Sequence, residues 1–248
     1  MSKAAAVPAE VSNNLVASTD SKTLPAHLQA VEGVGRGNEN VGGAMEPPRL
    51  LLVQQMSKCI DPHHGNYIKG SEVGDFVNSI TKKIYGDAVY ALSLSFRTVY
   101  QVKRDFNEGG GYKGKFVLES EANEVRNNQP PHEKWDVKET HEHLLVVKDP
   151  KTGELETTPV VMEFESSKLP KSRAWNTTIG MKGGDRFACL WKLQAIHQTN
   201  KAGATFQNLD CSYVGWAHET DYLAAEQMYE LFGPAPAPAP VVLTPAIQ

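Results

Sequence analysis

Two pairs of strand-forming segments, each joined by a turn sequence, constrain the fold of this chain most. Leu144–Lys148 and Pro159–Phe164 flank Asp149–Gly153, whose proline and glycine favour a hairpin turn. Leu190–His197 and Ala204–Val214 flank a second polar segment that contains glycine. Apolar and β-branched residues bounded by such turns are typical of antiparallel hairpins. The chain therefore has the pattern of an antiparallel, non-repetitive β-domain.

Further segments extend this pattern. Arg49–Gln54 is a short apolar run, Ala88–Phe96 is rich in β-forming residues, and Val99–Arg104 continues or pairs with it. We expect two helices, one near Pro170–Ile179 and one over Glu219–Leu231. In the second helix Thr220 is expected to act as the cap, and Gly233 to end the helix.

The expected fold class is mainly β with a few helices (α+β), in the form of an OB-like antiparallel barrel with long hairpins. A jelly roll or another β-sandwich fits the strand count equally well. Residues 1–47, rich in small and polar residues without a hydrophobic period, are expected to form a flexible arm. Residues 48–232 would be the folded domain, and the Pro/Ala-rich segment 233–248 a stiff, extended tail.

The charges divide the domain into opposed segments. Residues 82–115 carry seven bases and three acids, and residues 168–201 carry seven bases and one acid. Between them, residues 117–165 carry twelve acids and five bases. Aromatic residues alternate with the bases, and cations with stacking rings are what a single-stranded nucleic-acid groove requires. The sequence predicts that the two basic segments converge around the glycines at 109–111 while the acidic segment lies elsewhere; a mixed solvated surface is the alternative.

Other functional classes have weaker signals. His141 and His143 would share one strand face and could bind a metal with His132, but no spacing completes a four-ligand site. Glu163 and Glu165 would also share a face, and with Lys168 they suggest a metal-dependent nuclease, the weakest of the functions considered. Motifs of the common hydrolases and nucleotide-binding enzymes do not occur. We therefore expect no catalytic activity, cofactor or metal.

Four segments of the chain resemble those of a known family: RLLLVQ at 49–54, GGGYKGKF at 109–116, PVVMEFESSKLPKSRAW at 159–175 and LWKLQAIHQTNKAGATFQNL at 190–209. In this order they are similar to tailed-bacteriophage single-stranded DNA-binding proteins of the OB-fold type. The similarity is one of pattern over roughly 48–232. It implies sequence-tolerant binding of single-stranded DNA in phage replication or recombination, with replication or recombination proteins as partners through the C-terminal region. In such proteins the recruiting tail is often acidic, whereas here the last acid is Glu230.

On this hypothesis cations hold phosphates and rings stack on bases. The candidate residues are Arg97, Tyr100, Lys103, Arg104, Tyr112, Lys113, Lys115, Phe116, Lys168, Lys171, Arg173, Trp175 and Lys192. Tyr112, between Gly111 and Lys113, is the ring we most expect to be exposed.

A phage virion or assembly protein, such as a decoration or head–tail component, is the alternative function. The sequence contains no apolar run long enough to span a bilayer and no signal-peptide pattern at its start, so we expect a soluble protein in the host cytoplasm. Pairing of exposed strand edges would be one route to a homo-oligomer.

Overall fold

The fold is known from a computed structural model, which describes residues 48–105, 108–200 and 203–233. Within these ranges the chain forms nine strands and three α-helices. The strands are β1 Leu50–Leu52, β2 Phe76–Asn78, β3 Ile84–Gly86, β4 Ala88–Arg104, β5 Gly111–Phe116, β6 Asp136–Val147, β7 Val160–Glu165, β8 Cys189–Thr199 and β9 Thr205–Trp216. The helices are α1 Glu119–Asn127, α2 Leu169–Lys182 and α3 Glu219–Phe232.

The 17-residue strand β4 organises the larger sheet, whose strands run in the order β7-β6-β4-β8-β9 and are all antiparallel. On one side β4 pairs with β6 from Ala91 to Lys103. On its other side it pairs with β8 over Ala88–Leu92 and with β5 over Tyr100–Arg104. One long strand thus carries two separate neighbours on the same edge.

A small sheet, β1-β2-β3, connects the two outer strands of the large sheet. At one end Arg49 forms a parallel bridge with Val161 of β7. At the other end the Gln54 side chain bonds the backbone of Gln207 in β9, with both N···O distances at 2.9 Å. The amide of Gln54 therefore takes the place of a strand partner at the β9 edge.

The core lies on both faces of the large sheet. On one face the small sheet and α2 cover a cluster that includes Phe76, Phe164, Trp175 and Trp191. On the other face α3 covers a smaller cluster around Leu92, Leu94 and Phe187. The alternation of apolar residues along β7 explains this arrangement, since Val160, Met162 and Phe164 are buried in the larger cluster.

The mainly β fold class and its antiparallel pairing are confirmed. The described strands do not close into a barrel, because β7 and β9 pair with no further strand of the large sheet. Both expected hairpins form, as β6–β7 and β8–β9. Ala88–Arg104 is one continuous strand rather than a pair of strands.

The helices differ from expectation in detail. The segments near 170–179 and 219–231 are helical, but α3 begins after His218, so Thr220 lies inside the helix and does not cap it. The helix α1, in the acidic segment, was not expected. The proposed arm at 1–47 and residues 234–248 of the tail lie outside the described residues.

Candidate nucleic-acid interface

The hairpin of β4 and β5 brings eight of the predicted binding residues together. Antiparallel pairing places Tyr100 opposite Phe116 and Lys103 opposite Tyr112. The eight residues are Arg97, Tyr100, Lys103, Arg104, Tyr112, Lys113, Lys115 and Phe116. The pairing of β4 with β5 therefore brings together the predicted binding residues that belong to the first basic segment.

The tip of this hairpin is built around Trp135, which precedes β6. The charged groups of Arg104 and Lys113 lie 5.5 and 4.9 Å from the centre of its ring. Its indole nitrogen donates a 2.7 Å hydrogen bond to Glu133. A side chain on Gly111 would begin 2.5 Å from the ring, so only glycine allows the indole to lie this close to the backbone.

Tyr112 and Lys113 are the most accessible candidate residues at the tip. The Tyr112 side chain is 56% exposed. Lys113 is exposed and, among the described residues, forms no ion pair; its contact is with the Trp135 ring. An exposed ring beside an exposed lysine is an arrangement that can stack on a base and hold an adjoining phosphate.

The other cations of the β4–β5 hairpin are ion-paired: Arg104 lies 3.9 Å from Glu133, and the remaining three are held by acids of β6 and β7. Lys103 lies 2.8 Å from Glu165, and Arg97 lies 2.5 Å from Glu142. Lys115 binds both Glu142 and Glu163. Burial by itself lowers the pKa of Lys115, but the hydrogen bonds to the two carboxylates outweigh it and raise that pKa above its ordinary value.

The predicted separation of charge is therefore wrong. Acidic β6 pairs along nearly the whole length of basic β4, and β7 lies beside β6. The two segments alternate as neighbouring strands because strand order, rather than sequence block, decides which side chains meet. Acids that were expected to lie elsewhere neutralise much of the first basic segment.

The α2 candidates lie on the opposite face of the sheet from Lys115. His141 and His143 of β6 both contact Ser172 of α2, so these alternate residues face the helix. Glu142 lies between them and points to the other face, where it binds Arg97 and Lys115. The two basic segments consequently do not line one continuous groove.

Each α2 candidate has its own surroundings. Lys171 pairs with Asp210 at 3.0 Å, and Arg173 pairs with Glu139 at 3.1 Å. Lys168 immediately precedes α2, and burial lowers its pKa, an effect that Glu165 and Glu163 partly oppose. Trp175 is 1% exposed and stacks on His143, with ring centres 4.6 Å apart, so its ring has no free face for a base.

Lys192 is placed away from the hairpin tip. It lies in β8 opposite Tyr90 of β4 and Ser212 of β9. Within the described ranges it forms no ion pair, and Tyr90 beside it is 42% exposed. Lys192 and Tyr90 thus form a second, smaller combination of a cation and a ring.

The histidine pair has a structural environment. His141 and His143 lie 2.8 and 2.7 Å from the Ser172 hydroxyl, and Arg186 lies 3.0 Å from His143. Burial, followed by the charge of Arg186, lowers the pKa of His143 well below its ordinary value. No group of three or more potential metal ligands occurs among the described residues. The two histidines therefore join β6 to α2.

Trp135 is the residue at the tip that sequence reasoning missed. It stands alone among charged and polar residues, and neither of the two basic segments contains it. A large ring immediately before a strand, flanked by Lys134 and Asp136, was the available signal. Its contact with Gly111 depends on tertiary structure.

A family model described as Pam3 phage gp34-like protein matches residues 17–235. Neither the curated proteins nor the solved structures contain a match to the chain. None of the helices in the described ranges has the length and apolar character needed to cross a membrane.

Proposed function

We propose that this phage protein, which belongs to the Pam3 phage gp34-like family, binds single-stranded DNA without sequence preference through the tip of its β4–β5 hairpin. The observation that carries the proposal is the exposed Tyr112 beside Lys113 and the Trp135 ring, with Arg104 on that ring as well. The binding is non-covalent. It belongs to DNA replication or recombination in the host cytoplasm, with partner proteins recruited through the C-terminal region.

At the tip, the roles follow from exposure and charge. Tyr112 stacks on a base, which contributes about 1–3 kcal/mol and tolerates any base. Lys113 holds a flanking phosphate, Arg104 shares its charge between Glu133 and a phosphate, and Trp135 offers a second ring when Lys113 turns from it to a phosphate. An OB-type barrel is not required, because a two-stranded ribbon with exposed rings presents the same groups.

The ion-paired cations have a secondary role in this proposal. For Lys103 or Lys115 to bind a phosphate, it must share its charge with a carboxylate that already holds it. Such contacts add less affinity than an unpaired lysine, since part of the attraction is already used. We therefore assign the main electrostatic contact to Lys113, with Lys192 and Tyr90 as a more distant contact.

A titration with an oligothymidine strand, followed by tryptophan fluorescence over a series of salt concentrations, tests the proposal. Tyr112→Ala should weaken binding by about 5- to 100-fold, the effect of one lost stack. Lys113→Ala should reduce the slope of log K against log salt by about one. Tyr67→Ala and Lys69→Ala are matched controls, since both residues are exposed in the segment between β1 and β2. Absence of binding at low salt, or binding that ignores salt, would refute the proposal.

A virion or assembly role is the second candidate, and the β9 edge favours it. Val214 and Trp216 are 48% and 60% exposed on this outer strand. Exposed apolar side chains on a strand edge are typical of protein contacts. A protein with this role would sediment with phage particles and would not bind the oligothymidine strand.

A further inference from the structure

The edge of β4 is open between its two neighbours. β8 pairs with β4 up to Leu92, and β5 pairs with it from Tyr100 onward. Ser93–Val99 thus has a strand partner, β6, on one side only. On the other side Ser93 and Leu94 are buried beside Arg186 and Phe187, so Ser95–Thr98 is the accessible part of the open edge. Alternate residues of this stretch direct their backbone N–H and C=O groups toward the open side, as in any edge strand.

A pocket of about 540 Å³ adjoins this open edge. Leu94, Ser95 and Phe96 line it from β4, and the rings of Phe187 and Tyr229 line it from the opposite wall. The pocket and the open backbone therefore share three consecutive residues. A segment that pairs with β4 would place a side chain directly at the pocket.

Acidic groups dominate the rim of the pocket. Asp185, Glu226 and Glu230 line it, together with the single cation Arg186. Asp185 accepts a hydrogen bond from Tyr222, whereas Glu226 and Glu230 form no ion pair with any described residue. The donors of Arg186 are directed to Ser93, His143 and Asn176. The pocket thus has an apolar floor and a net negative rim.

We propose that the open edge binds an extended segment of a partner protein, which adds a strand to β4 and places a lysine or arginine side chain in the acidic pocket. In strand addition the backbone pairing supplies affinity, and the pocket for a side chain supplies specificity. The aliphatic stem of this lysine or arginine contacts Leu94 and Phe187, while its charged group pairs with Glu226 and Glu230. Nucleic acid does not fit this site, because its phosphates would be repelled by the carboxylates.

Two other occupants fit less well. A second copy cannot pair its own β4 edge here, because β5 and β8 flank the opening in both copies and keep the two edges apart. The sequence after Lys201 contains no lysine or arginine, so the tail cannot supply the charge. Residues 1–47 contain Lys3, Lys22 and Arg36 and lie outside the described residues, so cover by the chain itself is one outcome of the test. We assign the segment to another protein, with β-forming residues around one lysine or arginine.

A blocked synthetic peptide, Thr-Val-Lys-Val-Thr-Val, can be titrated into the full chain, with hydrogen exchange as the readout. We expect the peptide to slow exchange of the amides of Ser95–Thr98 that point to the open side, and of no other amides of β4. Replacing its lysine by glutamate should weaken binding by about tenfold. The double variant Glu226→Gln/Glu230→Gln should weaken binding of the lysine peptide by about fivefold. Glu219→Gln, a charge removed from the start of α3, is the matched control.

Three results would overturn the proposal. One is equal binding of the lysine and glutamate peptides. Another is protection elsewhere in the chain, or no protection at millimolar peptide. The third is slow exchange of the amides of Ser95–Thr98 that point to the open side in the free full-length chain, which would mean that a segment of the chain itself already covers the edge.

Discussion

Arg186 donates a hydrogen bond to Nδ1 of His143 across 3.0 Å, and this contact fixes the direction of a buried chain of hydrogen bonds. A guanidinium can only donate, so Nδ1 accepts and the Nε2–H of His143 donates to Ser172. The Ser172 hydroxyl then donates to His141, whose Nε2–H donates to Glu139. One arginine thereby sets the tautomer of both histidines and ties β6 to α2.

The first prediction concerns acid. In the folded protein the pKa of His143 lies well below about 6.5, the ordinary value for histidine. Between this folded-state pKa and about pH 6.5, the unfolded chain therefore binds a proton that the folded chain does not. Stability should therefore fall as pH drops below about 6.5, by up to about 1.4 kcal/mol per pH unit. Urea unfolding at a series of pH values measures this fall. In His143→Gln this part of the slope should vanish, whereas in His63→Gln, at an exposed site, it should persist.

The second prediction concerns the hydroxyl between the histidines. Ser172→Ala leaves both rings without their shared partner in a buried site, and we expect a loss of about 1–3 kcal/mol in the free energy of unfolding. Thr177→Ala on the same helix is the control, since its exposed hydroxyl bonds only the backbone of Arg173. Equal urea midpoints for the two variants would contradict a structural role for the chain of hydrogen bonds.

The third prediction concerns Lys115. Glu142 and Glu163 are direct cross-strand partners, and Lys115 binds both. Burial raises the pKa of Glu163, but Lys115 outweighs it and lowers that pKa below its ordinary value, so the native protein gains stability as pH rises through the carboxylate range. In Lys115→Met the two carboxylates lose their shared cation, so their part of the rise in stability between about pH 4 and 6 should shrink, while the part due to His143 remains.

Chemical unfolding of the Lys115→Met variant at pH 4 and pH 6, compared with the unmodified protein, measures this smaller gain in stability. Lys134→Met is the control because its ion pair with Glu108 is exposed. If the free energy of unfolding changes between pH 4 and pH 6 by the same amount in both variants and in the unmodified protein, the network around Glu142 does not control stability in this range.

The fourth prediction concerns the hairpin tip. In Gly111→Ala the new methyl group would lie 2.5 Å from the Trp135 ring, at a backbone φ of 151°. We expect the indole to move, with a change in tryptophan emission and a loss of about 1–3 kcal/mol in stability. Gly180→Ala in α2 meets no atom within 4 Å and should leave the emission unchanged. An unchanged spectrum for Gly111→Ala would show that the ring does not rest on this backbone.

Local signals explain which elements could be predicted. The turn at Asp149–Gly153 joins β6 to β7, and the alternation in both strands set the faces of Glu163 and Glu165 correctly. The helix α1 escaped prediction because its residues, Glu119–Asn127, include only two apolar side chains, Ala122 and Val125, and bury only Ala122. The strands β2 and β3 are three residues each, too short for an alternating pattern.

The candidate site was predictable only where it is local. Tyr112 and Lys113 are exposed beside a glycine-rich turn, and sequence reasoning placed them there. Trp175 was a candidate for stacking, yet it lies in the core because α2 packs that side against His143. In the sequence, an aromatic residue next to a lysine or arginine gives the same pattern whether its helix turns the ring toward the core or toward solvent.

The sequence by itself determined the β hairpins, the two later helices and the exposed tip, because these depend on residues close together in the chain. Only the tertiary structure decided the meaning of the charges. Basic β4 lies beside acidic β6, so Glu142 and Glu163 hold Lys115, and α2 lies on the opposite face with Arg173. Electrostatic interaction depends on distance through space, and strand order sets that distance.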